Sequence, residues 1–132
     1  MKEGWLDDYY IILFEERSSS LTEAYAIQDF LPSYKLVGLR GWDDFIVEDH
    51  RGVLFTVPTV PLSQGRLAPL EMDLSHANFV IDEGKIGQIK WYIQPLCFGG
   101  DPNVGPNLNW VTLEQHTDLV KWWNRKYREL AP

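Results

Sequence analysis

The chain has 132 residues, of which 45% are hydrophobic and 14% aromatic, and its formal net charge is −7. This length and composition exclude a disordered chain and predict a single domain over residues 1–132 with its own hydrophobic core. One cysteine excludes an internal disulfide, and no apolar run approaches the roughly 20 residues that span a bilayer. The N-terminus also lacks the apolar core of a signal peptide. These features predict a cytoplasmic protein that does not act at a membrane.

Acidic and basic residues are unevenly distributed along the chain. Residues 1–83 hold 15 of the 19 acidic side chains but only six of the 12 basic ones. Nucleic acid is not expected as a partner, because phosphate neutralisation needs Lys and Arg. A basic protein partner fits, since complementary charge speeds encounter and suppresses wrong partners. A negative charge that only keeps the protein soluble fits the composition at least as well.

The N-terminal part predicts a buried strand followed by a short helix. The apolar run at residues 9–14 (YYIILF) lies between acidic pairs, a pattern typical of a strand that is buried on both faces. Ser20-Leu21-Thr22-Glu23 has the form of a capping box and predicts a helix with Ser20 as its N-cap. Pro32 is expected to end this helix, because the residue before a proline disfavours helical angles.

Residues 34–60 contain three apolar runs, which lie at 34–39, 45–47 and 53–57. Two segments rich in Gly, Asp and other turn-forming residues separate these runs. Val, Ile, Leu, Phe and Tyr at this density, bounded by such turns, predict strands joined by short connections. We therefore expect an antiparallel meander over residues 34–60 at the centre of the sheet.

Residues 86–97 are open to two interpretations. Ile89, Trp91 and Ile93 alternate as in a strand, whereas Ile86, Ile89 and Ile93 have the spacing of a helix. The content of β-branched and aromatic residues favours the strand. A loop rich in Gly and Pro is expected to follow at 99–109.

The C-terminal segment carries the clearest helix pattern. Thr112-Leu113-Glu114-Gln115 forms a second capping box, with Thr112 as N-cap and Gln115 as its partner. Apolar residues then recur at spacings of three and four: Leu113, His116, Leu119, Val120, Trp123, Tyr127 and Leu130. Trp122 lies off this stripe and is expected to be exposed. The elements together predict an α+β fold: a mainly antiparallel sheet, a short N-terminal helix and a long C-terminal helix packed on the sheet.

No group of residues has the spacing of a catalytic or metal-binding motif. The three histidines and Cys97 are far apart in sequence, and His116 is expected to be a packed residue on the apolar helix face. A Cys97–His116 nucleophile pair is conceivable, but the apolar neighbours of Cys97 disfavour the thiolate. The glycine pair at 99–100 lacks the fingerprints of a phosphate loop. We therefore expect no enzymatic activity, no metal and no cofactor.

Acidic residues in two turns of the meander are the candidate partner contacts. Trp42, Asp43 and Asp44 combine an aromatic side chain with two carboxylates, and Glu48 and Asp49 lie in the next turn. Turns project from a sheet, so these carboxylates are expected to be solvated. Aromatic residues are enriched in the cores of interfaces, which makes the Trp42 turn the better candidate. That the acids only solubilise the turns is an equally good interpretation.

Over residues 9–62 the sequence resembles the SUKH superfamily, which includes bacterial toxin-immunity proteins and fungal cell-wall-assembly regulators. The resemblance lies in the strand at 9–14, the segment EAYAIQDFLP before the sheet, the Gly- and acid-containing turn at 41–44, and the paired strands that end at Val57-Pro58. The sequence departs from the family in two ways. The family usually has a helix before its first strand, whereas only eight residues precede Tyr9 in this sequence. The family's turn commonly carries several glycines, whereas here Gly41 is followed by Trp42.

The resemblance implies one SUKH-like domain and a non-enzymatic function. The protein would bind and neutralise a cognate bacterial toxin, a nuclease being one such toxin class. The alternative is a regulatory or scaffold module that binds a protein other than a toxin.

Overall fold

The computed structural model describes residues 2–6, 9–40, 44–70, 79–81, 88–92 and 108–130. Its large sheet has six strands in chain order, β1 (Lys2–Leu6), β2 (Tyr9–Leu13), β3 (Lys35–Arg40), β4 (Asp44–Glu48), β5 (Leu54–Pro58) and β6 (Ala68–Pro69). A second sheet pairs β7 (Gln88–Tyr92) with β8 (Leu108–Thr112). The helices are α1 (Ser18–Ala24), α2 (Ile27–Phe30) and α3 (Leu113–Leu130), and a 3₁₀ turn covers Gln64–Arg66.

The predicted α+β fold is confirmed. Each strand of the large sheet pairs antiparallel with its neighbour in the chain, so β3, β4 and β5 form the central meander expected over residues 34–60. The favoured strand within residues 86–97 is also confirmed as β7, although 93–97 lie outside the described residues. The sequence patterns did not predict the two edge strands, β1 and β6, or strand β8. The loop expected at 99–109 is wrong at residues 108–109, because β8 begins at Leu108 and pairs with β7.

The start of α1 differs from the prediction. The helix begins at Ser18, so the capping box with Ser20 as N-cap is wrong, and the Ser20 hydroxyl instead donates to the carbonyl of Arg17 at 3.0 Å. The Thr22 hydroxyl donates to the Ser18 carbonyl at 2.7 Å and accepts from the Leu36 N–H at 2.9 Å. Ser18 and Thr22 are buried against β3. Their contacts with the sheet determine where the helix lies, and they outweigh a local capping pattern on its exposed side.

A left-handed residue divides the N-terminal helical region in two. Ala26 has φ 55° and ψ 39°, and it separates α1 from the short helix α2. The second helix ends at Phe30, in agreement with the expectation that Pro32 stops it. The chain therefore changes direction at Ala26, and both helices contact β3 of the sheet.

The main hydrophobic core lies between the sheet and the helices. Its buried side chains come from the sheet (Tyr10, Ile12, Leu36, Leu39, Phe45, Val47 and Val57), from the N-terminal helices and the residues beside them (Phe14, Leu21, Tyr25, Ile27 and Leu31), and from Val120 of α3. Burial of each such side chain stabilises the fold by roughly 1.5–3 kcal/mol. The opposite face of the sheet carries a smaller cluster around Ile11 and Ile46.

A bulge in β3 brings Leu36 and Leu39 to the same face of the sheet. The strand register passes from Leu36 opposite Val47 to Gly38 opposite Ile46, and the residue between is left unpaired. Side chains three positions apart would otherwise point to opposite faces. Gly38 is needed here, because a Cβ at this position would lie 2.5 Å from the carbonyl oxygen of Ile12.

The C-terminal helix begins as predicted. The Gln115 N–H donates to the Thr112 hydroxyl at 3.1 Å, and the Thr112 N–H donates to the Gln115 side-chain oxygen at 3.0 Å, which confirms the capping box. Trp122 is 49% exposed, as its position off the apolar stripe predicts. Leu130 is 67% exposed, so the stripe ends before it and the prediction fails at this residue.

The apolar stripe of α3 packs on the main core. Val120 and His116 are buried, and Leu113, Leu119 and Trp123 are partly buried against the same cluster. None of the helices in the described part of the chain is long and apolar enough to cross a membrane.

Candidate partner-binding site

The described acidic candidates of the meander lie at opposite ends of β4. Asp44 is the first residue of β4, Glu48 is its last, and Asp49 follows directly. Trp42 and Asp43 lie outside the described residues. The structure therefore places Asp44 apart from Glu48 and Asp49 rather than bringing these three candidates together.

Asp44 is held by an ion pair with Arg40. The two residues lie opposite each other at the end of the β3–β4 ladder, and Nη2 of Arg40 donates to Oδ2 of Asp44 at 3.0 Å. Their side chains are 21% and 32% exposed. The Asp44 carboxylate is thus accessible, but the neighbouring guanidinium balances its charge.

Tyr9 completes this group from the adjacent strand. The guanidinium carbon of Arg40 lies 5.0 Å from the centre of the Tyr9 ring, a distance at which a cation is attracted to an aromatic face. The Tyr9 side chain is 42% exposed. The buried Nε of Arg40 has no hydrogen-bond partner in the described part of the chain. Asp44 and the Tyr9 ring therefore hold this arginine in a position where one of its donors is left unsatisfied.

We call this group of residues the Tyr9 end of the sheet and define it by Leu6, Tyr9, Arg40 and Asp44. The strand register places all four at the same end, because Leu6 pairs with Tyr9 and Arg40 pairs with both Ile11 and Asp44. In the sequence, Asp7 and Asp8 separate Leu6 from Tyr9, and Gly41, Trp42 and Asp43 separate Arg40 from Asp44. The strand ends that flank these two acidic segments therefore lie side by side.

Sequence patterns did not identify Tyr9 and Arg40 as site residues. Tyr9 was assigned to a buried strand, and Arg40 is a single cation in an acidic region. Their proximity follows from the antiparallel pairing of β2 with β3, which joins residues about 30 positions apart. Tyr9 is the first residue of its apolar run and directly follows Asp7 and Asp8, and this position is the sequence signal that could have indicated an exposed side chain.

The Asp49 turn is built differently. One carboxylate oxygen of Asp49 accepts hydrogen bonds from the N–H groups of Arg51 (2.9 Å) and Val53 (3.0 Å), and the other accepts from the Arg51 guanidinium (2.9 Å). The side chain is only 7% exposed. Desolvation acts to raise the pKa of Asp49, but the hydrogen bonds from Val53 and Arg51 outweigh it and the pKa is lowered.

The expectation of a solvated carboxylate therefore does not hold for Asp49, whose acceptors are engaged within the turn. Glu48 is half-buried and pairs in register with Lys35 and Leu54. A partner contact at Glu48 and Asp49 stays a prediction. The Asp44 carboxylate is more accessible than that of Asp49 (32% against 7% exposed), and it lies beside an exposed tyrosine, which makes the Tyr9 end the stronger candidate site.

The histidine that could have served catalysis is inaccessible. His116 is 1% exposed, and its Nδ1 lies 2.6 Å from the phenol oxygen of Tyr25. Burial lowers the pKa of His116 from 6.5 to about 3. The prediction of a packed residue is therefore confirmed. Cys97, its conceivable nucleophile partner, lies outside the described residues.

Within the described ranges, no three His, Cys, Asp or Glu side chains are grouped in a way that could hold a metal ion. Comparison of the chain with protein-family models, curated proteins and solved structures finds no match.

Proposed function

We propose that this chain is a non-catalytic immunity protein of the SUKH type, which binds a basic bacterial toxin domain in the cytoplasm and blocks it. The observation that carries the proposal is the Tyr9 end of the sheet. There an exposed tyrosine, an arginine and a carboxylate meet at 5.0 and 3.0 Å. Tyrosine and arginine are among the residues that dominate the binding energy of protein interfaces.

The sequence that adjoins this end suits a cationic partner. In the sequence, Asp7 and Asp8 follow Leu6 directly and Asp43 precedes Asp44, so three carboxylates adjoin these strand ends in addition to the Arg40–Asp44 ion pair. A nuclease that binds the phosphates of nucleic acid needs Lys and Arg in its cleft. Carboxylates presented at one end of a rigid sheet could meet those cations and exclude the substrate. The ring of Tyr9 would supply apolar contact area between the charged groups.

The Nε of Arg40, which has no hydrogen-bond partner among the described residues, supports a role outside the fold. A buried polar atom without a partner costs free energy, so stability alone is a poor reason for an arginine at this position. A methionine or leucine would cover Tyr9 without that cost. The presence of arginine at position 40 is better explained if its guanidinium gains hydrogen bonds from a bound partner.

The test is rescue of a bacterial host that expresses a toxin domain, chosen from any toxin gene that adjoins the gene of this chain. Co-expression of the wild-type chain should restore growth, whereas Tyr9→Ala should lower the rescue. Trp122→Ala is the matched control, because it removes an aromatic side chain of similar exposure (49%) from α3. If the folded wild-type chain fails to rescue growth, the immunity function is wrong. If Tyr9→Ala rescues as well as the wild type, the site is wrong.

The alternative function is a scaffold module that binds a protein other than a toxin. One observation favours it, namely a second exposed aromatic group on α3. The Nζ of Lys126 lies 5.7 Å from the centre of the Trp122 ring, and Trp123 packs edge-on against it at 4.8 Å. Two contact surfaces would suit a scaffold, and failure of the wild-type chain to rescue growth would favour this alternative.

A further inference from the structure

A groove between α2 and α3 has three cationic side chains among its eight lining residues. Its cavity has a volume of about 150 Å³, and its residues are Tyr25, Ala26, Asp29, Phe30, Lys121, Asn124, Arg125 and Arg128. We call it the α2–α3 groove. Tyr25 and Asn124 are buried, whereas the charged side chains are exposed at the rim.

The three cations of the groove lie on one face of α3. Lys121, Arg125 and Arg128 are separated by four and three positions, the spacing at which helical side chains are neighbours. None of them forms an ion pair with a carboxylate in the part of the chain that the structure describes. Asp29 is the one carboxylate among the lining residues. The lining side chains therefore carry a net excess of two positive charges.

The guanidinium of Arg128 has a defined position. Its central carbon lies 4.5 Å from the centre of the Phe30 ring, so the group stacks on an aromatic side chain of α2. Stacking leaves the N–H edge of a guanidinium available, and that edge matches two oxygens of an oxyanion. A bound anion would not have to order this side chain first.

We propose that the α2–α3 groove binds a phosphate monoester or inorganic phosphate. A carboxylate has two oxygens, which a single bidentate arginine can satisfy, whereas three cations call for an anion with more oxygens. A phosphate monoester at neutral pH carries a charge between −1.5 and −2, which matches the excess charge of the groove. The cavity is smaller than the roughly 300–1,000 Å³ of typical small-molecule pockets, so it accommodates the phosphoryl group and little more.

Interaction with the helix dipole does not explain this arrangement of cations. Positive side chains are favourable near the C-terminal end of a helix, whichever way they face. Lys126 is in the same stretch of α3, yet it lies over Trp122 and within 3.7 Å of the Glu129 carboxylate. Outside the groove, α3 therefore has a cation with local partners. The three cations in the groove have no carboxylate partner among the residues that the structure describes.

The experiment measures binding of inorganic phosphate to the full chain by isothermal titration calorimetry at constant ionic strength. We expect weak binding by the wild type, because the cations are exposed, and a dissociation constant about tenfold higher for the double variant Arg125→Gln with Arg128→Gln. Lys126→Gln is the matched control and should bind phosphate as the wild type does. Equal binding by the double variant, with its fold verified by circular dichroism, would overturn the proposal.

Further titrations distinguish a phosphate monoester from inorganic phosphate as the ligand. Tighter binding of phosphoserine than of inorganic phosphate would indicate a group carried on a larger molecule, and the reverse would indicate the free ion. Both results support the site. Acetate binding as tightly as phosphate would overturn the assignment of a phosphoryl group. The groove and the Tyr9 end share no residues, so failure of this proposal leaves the proposed immunity function untouched.

Discussion

The phenol oxygen of Tyr25 lies 2.6 Å from Nδ1 of His116, a contact between residues 91 positions apart in the chain. Each of the two residues is 1% exposed. The ring of Phe45 in β4 packs edge-on against both rings, at centroid distances of 5.1 Å from Tyr25 and 6.4 Å from His116. Tyr25, Phe45 and His116 therefore form one buried contact between the N-terminal helices, the meander and the C-terminal helix. Substitutions at these three residues should have a large effect on stability.

Acid should destabilise the protein through His116. Burial lowers its pKa from 6.5 to about 3 in the folded state, so below pH 6.5 the unfolded chain binds a proton that the folded chain does not. The free energy of unfolding is therefore unaffected by protonation of His116 above pH 6.5. It decreases as the pH falls from 6.5 toward 3, by up to about 1.4 kcal/mol per pH unit. Urea unfolding at pH 7, 6, 5 and 4 measures this slope.

A substitution isolates the histidine contribution. His116→Gln should be less stable than the wild type at pH 7, but its stability should fall less steeply between pH 6.5 and 4, because it has no imidazole to protonate. His50→Gln is the control, since His50 is exposed and its replacement should leave the acid slope unchanged. If the His116→Gln variant keeps the slope of the wild type, carboxylates rather than His116 cause the acid sensitivity.

Asn124 should be a second stability determinant of α3. This residue is 3% exposed, and its side-chain oxygen accepts a hydrogen bond from the Leu62 N–H at 2.8 Å, while its amide donates to the Thr59 carbonyl at 2.7 Å. Asn124→Leu removes the acceptor from a buried N–H, which should cost about 1–3 kcal/mol, with any steric mismatch adding to it. Chemical denaturation measures the change.

The control for this variant is Arg125→Leu, which places the same side chain at the next, exposed position of the helix. Its free energy of unfolding should change by less than about 0.5 kcal/mol. Similar losses in the two variants would mean that the Asn124 hydrogen bonds contribute little.

Asp49 is expected to stabilise its turn rather than to act as a free carboxylate. Asp49→Ala removes the acceptor of the Arg51 and Val53 N–H groups and should lower the melting temperature. Asp49→Asn keeps one side-chain oxygen and should fall between the alanine variant and the wild type. Because its pKa is lowered, the stabilisation is present above the unfolded pKa of 3.8 and is lost as the pH falls through the folded value. A melting temperature unchanged in Asp49→Ala would contradict this role.

The fold could be predicted where the signal was local and periodic. The alternating and continuous apolar runs identified β2 to β5, and the spacing of three and four identified α3 together with its capping box. The edge strand β1 escaped prediction because Lys2–Leu6 has no apolar run, and its pairing depends on β2. The start of α1 escaped because the buried contacts of Ser18 and Thr22 with a distant strand determine it.

The candidate site was predictable in its carboxylates but not in its geometry. The sequence indicated acids beside an aromatic residue, yet the Arg40–Asp44 pair and the stacking of Arg40 on Tyr9 depend on strand register. The different roles of Asp44 and Asp49 depend on hydrogen bonds that no composition rule anticipates. A tight turn that uses its own carboxylate as an acceptor has the same residue types as a turn that exposes it.

The last prediction concerns the contribution of the Tyr9 end to partner binding. Asp43→Lys combined with Asp44→Lys should weaken binding of a basic partner by more than about tenfold, mostly through the off-rate if the contacts are desolvated. The second substitution also places a cation beside Arg40, whose ion pair with Asp44 it removes. Both side chains of that pair are partly exposed, so the loss of stability should stay below about 1 kcal/mol.

Glu16→Lys with Glu23→Lys is the matched control, because it reverses two exposed carboxylates that lie beyond the opposite end of β2 from Tyr9. It changes the net charge by the same amount, so it should slow association through long-range attraction without altering dissociation. Binding kinetics at two salt concentrations separate the two effects, with circular dichroism as a control for folding. A faster off-rate in the Asp43 and Asp44 variant alone indicates direct contact at the Tyr9 end. Equal off-rates in the two variants would mean that the acids act only through net charge, and the contact surface would then lie elsewhere on the molecule.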